Sequence, residues 1–309
     1  MAEALKWYRA AAEQGQARAQ YNLATICAHG YGVARDPQEA AKWYYQAAQQ
    51  GDRQAQYDLG SMYARGDGVP ADSNAAQAWF QRAASQGDAM AQLALKLAAA
   101  QASGNPLTPE ELASFYLQAA NQGYAEAQIA IGSLYAKGRG VDQNPAEALK
   151  WYSAAAAQGD PKALHWLAVS FFNGDQVPKD INQAVQYYAK AAEAGYPLSE
   201  YNLGMMYSMG QGVAPSEEKA FQLFQKAASQ NFPAAQRQLA SMYETGRGTQ
   251  PDLIEAYRWY AQGAANGDAP SSQSTNALAL RLSPDQLRQA QARAQVGAGH
   301  PPIQPPPPN

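Results

Sequence analysis

DPQEAAKWYYQAAQQGDRQAQYDLGSMYARGDGVPA, residues 36–71, decides how this chain folds. Asp36-Pro37-Gln38-Glu39 is a helix start, with an acidic N-cap, proline at the first helical position and glutamate at the third. Ala40, Trp43, Tyr44, Ala47 and Ala48 then fall at i, i+3, i+4, i+7 and i+8, the apolar stripe of an amphipathic helix. Gly51 closes that helix as its C-cap. A second helix is predicted with Ala55, Leu59, Met62 and Tyr63 on one face, and Gly60 permits close approach of a neighbour. Gly66 and Gly68 form a loop packed by Val69, and Asp72 caps the next helix. One unit is a helical hairpin joined by glycine turns.

Outward from this stretch the pattern recurs every 36 residues without insertion or deletion. Its aromatic pair reads Trp7-Tyr8, Trp43-Tyr44, Trp79-Phe80, Phe115-Tyr116, Trp151-Tyr152, Tyr187-Tyr188, Leu223-Phe224 and Trp259-Tyr260. Eight residues after each pair stands Gly15, Gly51, Gly87, Gly123, Gly159, Gly195, Asn231 or Gly267. A fixed period of this size marks a solenoid, whose repeats contact mainly their neighbours and whose surface serves binding. The repeat predicts an all-α chain with a solenoid over residues 1–270, one elongated unit of about seven full repeats plus partial terminal ones. A C-terminal capping helix region over 271–296 and a disordered or polyproline tail over 297–309 complete the expected domains.

Two units depart from the pattern. In the third, Ala99 stands where Tyr63 stood and Ala102 where Gly66 stood. A longer helix, thinner packing and a local change of curvature are expected there. The eighth degenerates after Gly267, with a poor second-helix signal, before Ser283-Pro284-Asp285-Gln286 supplies a capping box for a polar helix to about Gln295.

Charge is sparse, 16% of residues, and the formal net of −3 leaves no basic footprint for nucleic acid. Cys27 is the only cysteine, so neither an intramolecular disulfide nor a cysteine metal site can form. No apolar run suits a transmembrane helix, and no cofactor is expected. Glu3 to Tyr8 matches Glu39 to Tyr44, so the chain opens inside a repeat helix, as a fraying end or as a piece of a longer array. With no signal segment, the chain as written is expected in the cytoplasm, or in the periplasm or outside if an N-terminal segment is missing. Oligomeric state stays open.

Ala40-x-x-Trp43-Tyr44-x-x-Ala47-Ala48-x-x-Gly51, Ala55-Gln56-x-x-Leu59-Gly60-x-x-Tyr63 and Gly66-x-Gly68-Val69-x-x-Asp72 carry a resemblance to the Sel1-like repeat family, relatives of tetratricopeptide proteins. It implies a right-handed α-solenoid that acts as a non-catalytic adaptor, frequently bacterial, in envelope, exopolysaccharide secretion, signalling or host-contact systems. Some relatives carry disulfide-bridged repeats, from which a chain with one cysteine departs. The resemblance also places the Leu59-Gly60 helix on the concave side, where a protein or extended peptide would bind. Most positions there are polar, as Asn22, Asp58, Asn202 and Gln238 are. Trp166 breaks that column, with His165 and Phe172 nearby and Met205 and Met209 in the next repeat. These five residues form the expected partner-binding patch, since thioethers and aromatics suit an adaptable contact. The bland reading has Trp166 and Met205 filling gaps between hairpins.

Two alternatives arise from short strings, one catalytic and one a phosphate-binding loop. Ser216-Glu217-Glu218-Lys219 is an S-x-x-K string, and a subset of the family is linked to penicillin binding or β-lactamase activity. Its K-T-G and S-D-N companions are missing, and Ser216 falls in the N-cap column with Asp36, Asp72, Thr108, Asn144, Asp180 and Asp252. Gly30-Tyr31-Gly32, Gly66-Asp67-Gly68 and Gly138-Arg139-Gly140 follow helices rather than strands, which argues against phosphate binding. Glycan binding in an envelope polysaccharide system is a third alternative, compatible with surface tyrosines and asparagines.

Overall fold

In this computed structural model the cap column governs where helices begin. Asp36, Asp72, Thr108, Asn144, Asp180, Ser216 and Asp252 each accept a first-turn backbone N–H through the side chain. The structure describes residues 2–30, 33–175 and 177–296. Tyr31-Gly32, His300 and the proline-rich tail lie outside the described residues. The chain forms two compact units, Met1–Ala148 and Leu149–Asn309, a division that the unbroken spacing does not announce.

In the first unit, α1 (Ala2–Glu13), α3 (Pro37–Gln49), α5 (Ser73–Ser85) and α7 (Pro109–Asn121) are first helices of repeats. They alternate with the second helices α2 (Ala17–His29), α4 (Arg53–Arg65), α6 (Ala89–Ser103) and α8 (Ala125–Lys137). The boundary falls within α9 (Pro145–Ala157), and the second unit continues with α10 (Pro161–Asn173), α11 (Ile181–Glu193), α12 (Pro197–Met209), α13 (Glu217–Ser229) and α14 (Pro233–Thr245). It closes with α15 (Leu253–Ala265), α16 (Ala269–Ala279) and α17 (Pro284–Val296). The described residues contain no strand.

Each apolar stripe is buried. Ala40, Tyr44, Ala47 and Ala48 face the core from α3, as Ala55, Leu59 and Met62 do from α4. Burial of Leu59 in this seam is worth about 2 kcal/mol. The second aromatic of the pair is buried in Tyr44, Tyr152, Tyr188, Phe224 and Tyr260, as a core reading requires. Phe80 and Tyr116 are half-buried, while Trp7, 72% exposed, and Tyr8 lie at the surface. Gly60 packs under Phe80, with space for no β-carbon at 2.8 Å from the ring.

Glycines punctuate each hairpin for two different reasons. The C-cap of α3 is Gln50, one place before the Gly51 assigned from sequence; Gly51 follows it with φ +90°, and Asn231 takes the same left-handed role at φ 60°. Gly68 is different: a β-carbon there would lie 2.2 Å from the Pro37 carbonyl oxygen, so the loop lies flat on the preceding first helix. The cap residue's own N–H closes the turn. Asp72 donates to the Tyr63 carbonyl at 2.9 Å, and Asp36, Asp180, Ser216 and Asp252 repeat that bond to the residue nine places earlier.

A buried column that the stripes do not explain joins successive repeats. Gln20, Gln56, Gln92, Gln128 and Gln236 donate from Nε2 to the carbonyls of Ala12, Ala48, Ala84, Ala120 and Ala228. Their Oε1 atoms accept in turn from the next repeat's cap, Gln50 to Gln20 at 2.7 Å, Gln86 to Gln56 at 2.8 Å and Asn266 to Gln236 at 2.9 Å. Gln20, Gln56 and Gln236 are thereby satisfied on both sides, avoiding the roughly 1–3 kcal/mol of an unpaired buried polar group.

In the irregular third repeat the second helix is longer and its packing thinner, as its sequence predicts. α6 runs two residues past the usual stop, to Gly104, and buries nothing beyond Leu93. Lys96 occupies the Gly60 column there. The Thr108 N–H bonds to its own Glu111 side chain at 2.9 Å, in a full capping box, instead of to the previous helix. At the other end the outcome differs from expectation. α16 forms despite its poor signal, because Asp268 caps Ser271 and Leu278 is fully buried. α17 starts in the expected Ser283–Gln286 capping box and packs on α15 through Ala290.

Candidate functional site

The second helices carry a face whose residues vary while the core columns stay fixed. In the second unit this face holds the five residues singled out from sequence, and the structure separates them by depth. His165 is 2% exposed: Nδ1 sits 2.9 Å from the Ser199 hydroxyl, and the rings of Trp166, Tyr188 and Tyr196 surround it. Burial lowers its pKa to about 4, so the ring is neutral near pH 7. Trp166 is half-buried and stacks on Tyr152, with centroids 6.2 Å apart. Phe172 is half-buried against the cluster of Ala168, Tyr188 and Leu203, with the Lys179 ammonium 5.7 Å from its ring. Met205 is half-buried against the α13–α15 core. Only Met209, 58% exposed, stands clear of its neighbours. A deep His165 supports the surface instead of forming it.

In the first unit the same face hollows into a pocket of about 420 Å³ that sequence reasoning did not single out. His29 of α2, Tyr44 of α3, Tyr57, Asp58 and Arg65 of α4 and Glu126 of α8 line it. The Arg35–Asp67 ion pair, 2.6 Å long, also belongs to the lining. Tyr57 meets Tyr124 edge-on at 5.5 Å, so α4 and the start of α8 approach one another from alternate repeats across α6. Asp58 is half-buried and accepts from the Tyr21 hydroxyl. Burial raises its carboxyl to about 7, assisted by Asp88 and Glu126 and opposed by the Tyr21 bond and Arg65. The signal available in sequence was small: Asp58 is the one ionisable residue in the Asn22–Gln238 column.

Neither kind of short string builds a site. The Ser216 hydroxyl accepts the Lys219 N–H at 3.3 Å and donates to Glu218, while the Lys219 ammonium lies 5.0 Å over the Tyr207 ring. That is a helix cap. Gly66 and Gly138 are left-handed C-caps after α4 and α8. Among the described residues no group of three or more His, Cys, Asp or Glu side chains could hold a metal ion. No helix among them is long and apolar enough to cross a membrane.

Capped helical hairpins, repeated in register and stitched by buried glutamines, define an α-solenoid repeat protein. Residues 1–16, 17–52, 53–88, 125–160, 161–196, 197–232 and 233–268 match the Sel1 repeat, and the chain belongs to that family. The unmatched stretch 89–124 is the irregular α6–α7 segment. Among solved structures, a protective antigen of uropathogenic Escherichia coli with an SLR fold is 32% identical at a TM-score of 0.66. That alignment covers 95% of this chain and 63% of the antigen, so the chain spans less than two thirds of that relative. A Sel1 repeat protein from Oxalobacter formigenes is 36% identical at a TM-score of 0.62, over 89% of this chain and 80% of its own. No curated protein sequence matches it. Sel1 repeat proteins are in general protein-interaction scaffolds and typically not enzymes.

Proposed function

We propose that this chain is a non-catalytic adaptor that holds a protein or an extended peptide along the variable face of its second helices. The observation that carries the reading is the contrast between columns. Core and cap positions keep the same residue types from repeat to repeat, whereas the face bearing Asn22, Asp58, Trp166 and Asn202 varies and opens into a pocket at Asp58. Affinity would be spread over several repeats, with Trp166, Met205 and Met209 as anchors above His165, and Phe172 at their edge. A bacterial envelope, secretion, signalling or host-contact system is the setting proposed from the family.

The test uses the whole chain and a Trp166→Ser/Met209→Ser variant, both immobilised and exposed to bacterial envelope and cytosolic fractions. Mass spectrometry identifies what each retains, and thermal melts check that the variant is folded. A partner held by the parent and lost by the variant supports the adaptor and its anchors together. One held equally by both keeps the adaptor and removes this patch. If nothing is retained by either, the adaptor reading fails.

A further inference from the structure

Resting on that reading of a peptide-binding face, we propose that the pocket between α2, α4 and α8 is a subsite for one cationic side chain, a lysine or arginine, of the bound segment. The acids of this unit divide into two kinds. Asp88 is fully committed: it caps α6 through the Ala91 N–H at 2.9 Å, pairs with the Arg53 guanidinium at 3.4 Å and accepts from the Tyr124 hydroxyl. Asp67 is neutralised by Arg35. Asp58 and Glu126 form no ion pair among the described residues, yet both line the same concavity. One comes from α4 and the other from α8, so the fold brings together two carboxyls that no helix cap or salt bridge requires.

The walls select the kind of cation. The half-buried Tyr57 offers ring surface to an aliphatic stem, leaving the charged end to the carboxyls. Two carboxyls beside the Tyr57 ring suit an organic cation better than a metal ion, for which oxygen ligands would be more numerous. Arg65 lies seven residues beyond Asp58 on α4, about 10 Å by helical rise, beside His29 and the Arg35–Asp67 pair. The pocket therefore has an acidic end and a mixed end, and Arg65 is placed to donate to a carbonyl of the bound backbone.

Capture is linked to protons. The groups that face Asp58 are Tyr21 and His29 from α2, Tyr44 from α3, Tyr57 and Arg65 from α4, Asp88 at the start of α6, Glu126 from α8 and the Arg35–Asp67 pair. A cation held there keeps Asp58 ionised against the burial that raises its carboxyl to about 7. Binding then releases a proton near neutrality and strengthens as pH rises from 6 to 8.

N-acetyl-lysine methylamide and its norleucine analogue, added to the full chain with carboxyl-labelled Asp and Glu, test this directly by NMR. The lysine compound is expected to shift the Asp58 and Glu126 carboxyl resonances and the norleucine compound to leave them in place. Asp58→Asn and the surface variant Glu126→Gln should each weaken binding by about tenfold. His29→Gln should leave the pH dependence intact, separating Asp58 from the imidazole. Equal binding of both compounds, unmoved carboxyl resonances, or full affinity in both carboxamide variants would overturn the subsite. A peptide array read in parallel distinguishes the two proposals. Peptides bound without preference for lysine or arginine would remove the subsite and keep the adaptor, while lysine capture with no peptide bound would do the reverse.

Discussion

Ser216 takes its role from its column. Its hydroxyl closes the first turn of α13, so Ser216→Ala should cost about 1 kcal/mol, read as a lower denaturant midpoint at unchanged slope. Depth decides the methionines in the same way. Met205→Ser removes packing against the α13–α15 core and should cost about 1–2 kcal/mol, whereas Met209→Ser on open surface should stay within about 0.5 kcal/mol. Equal losses would show that Met209 is core after all. Two glycines give a sharper contrast. Gly51→Ala meets only left-handed strain, about 1–2 kcal/mol, because nothing lies within 4 Å of the added carbon. Gly68→Ala adds a clash with the Pro37 carbonyl at 2.2 Å, and should cost more than about 3 kcal/mol and loosen the loop.

Helices and their joints follow from signals that act within a turn or two, which is why so many were legible. N-caps, stripes and stop glycines are local, and Asp72, Tyr44 and Gly66 behave as their neighbours in sequence predict. α16 was not legible, since its stability comes from burying Ser271 and Leu278 and not from helix propensity. The glutamine column marks the joint most open to measurement. In α12 the amide is replaced by Glu200, 2% exposed and accepting from Gln230 Nε2 at 2.9 Å, and burial raises its carboxyl to about 7 against the opposing Lys226 charge. An acid whose folded pKa lies above its unfolded value is protonated preferentially in the fold. Its presence costs nothing below about pH 4 and becomes destabilising as pH rises from there through 7. Glu200→Gln restores the amide present as Gln20, Gln56, Gln92, Gln128 and Gln236. It should stabilise the chain by on the order of 2 kcal/mol at pH 8 and change little at pH 4. Chemical unfolding at both pH values checks the sign; a gain independent of pH would mean that Glu200 is not the titrating group.

The whole chain shows which part of a site a repeat can announce. Spacing assigned the variable face, because every position on it has counterparts 36 residues away. It could not relate Asp58 to Glu126, which lie two repeats apart in different columns and meet only because α4 and α8 approach across α6. Nor could it give depth: His165 and Trp166 are adjacent in sequence, yet one is enclosed by rings and the other reaches the surface. The central claim is that this face receives the partner. A photo-crosslinking residue placed at Met209 on α12, and separately at exposed Gln222 on the first helix α13, measures it most directly in a bacterial host. The account predicts a discrete crosslinked partner from position 209 and none from 222. Crosslinks from 222 with none from 209 would contradict it and move recognition to the first helices.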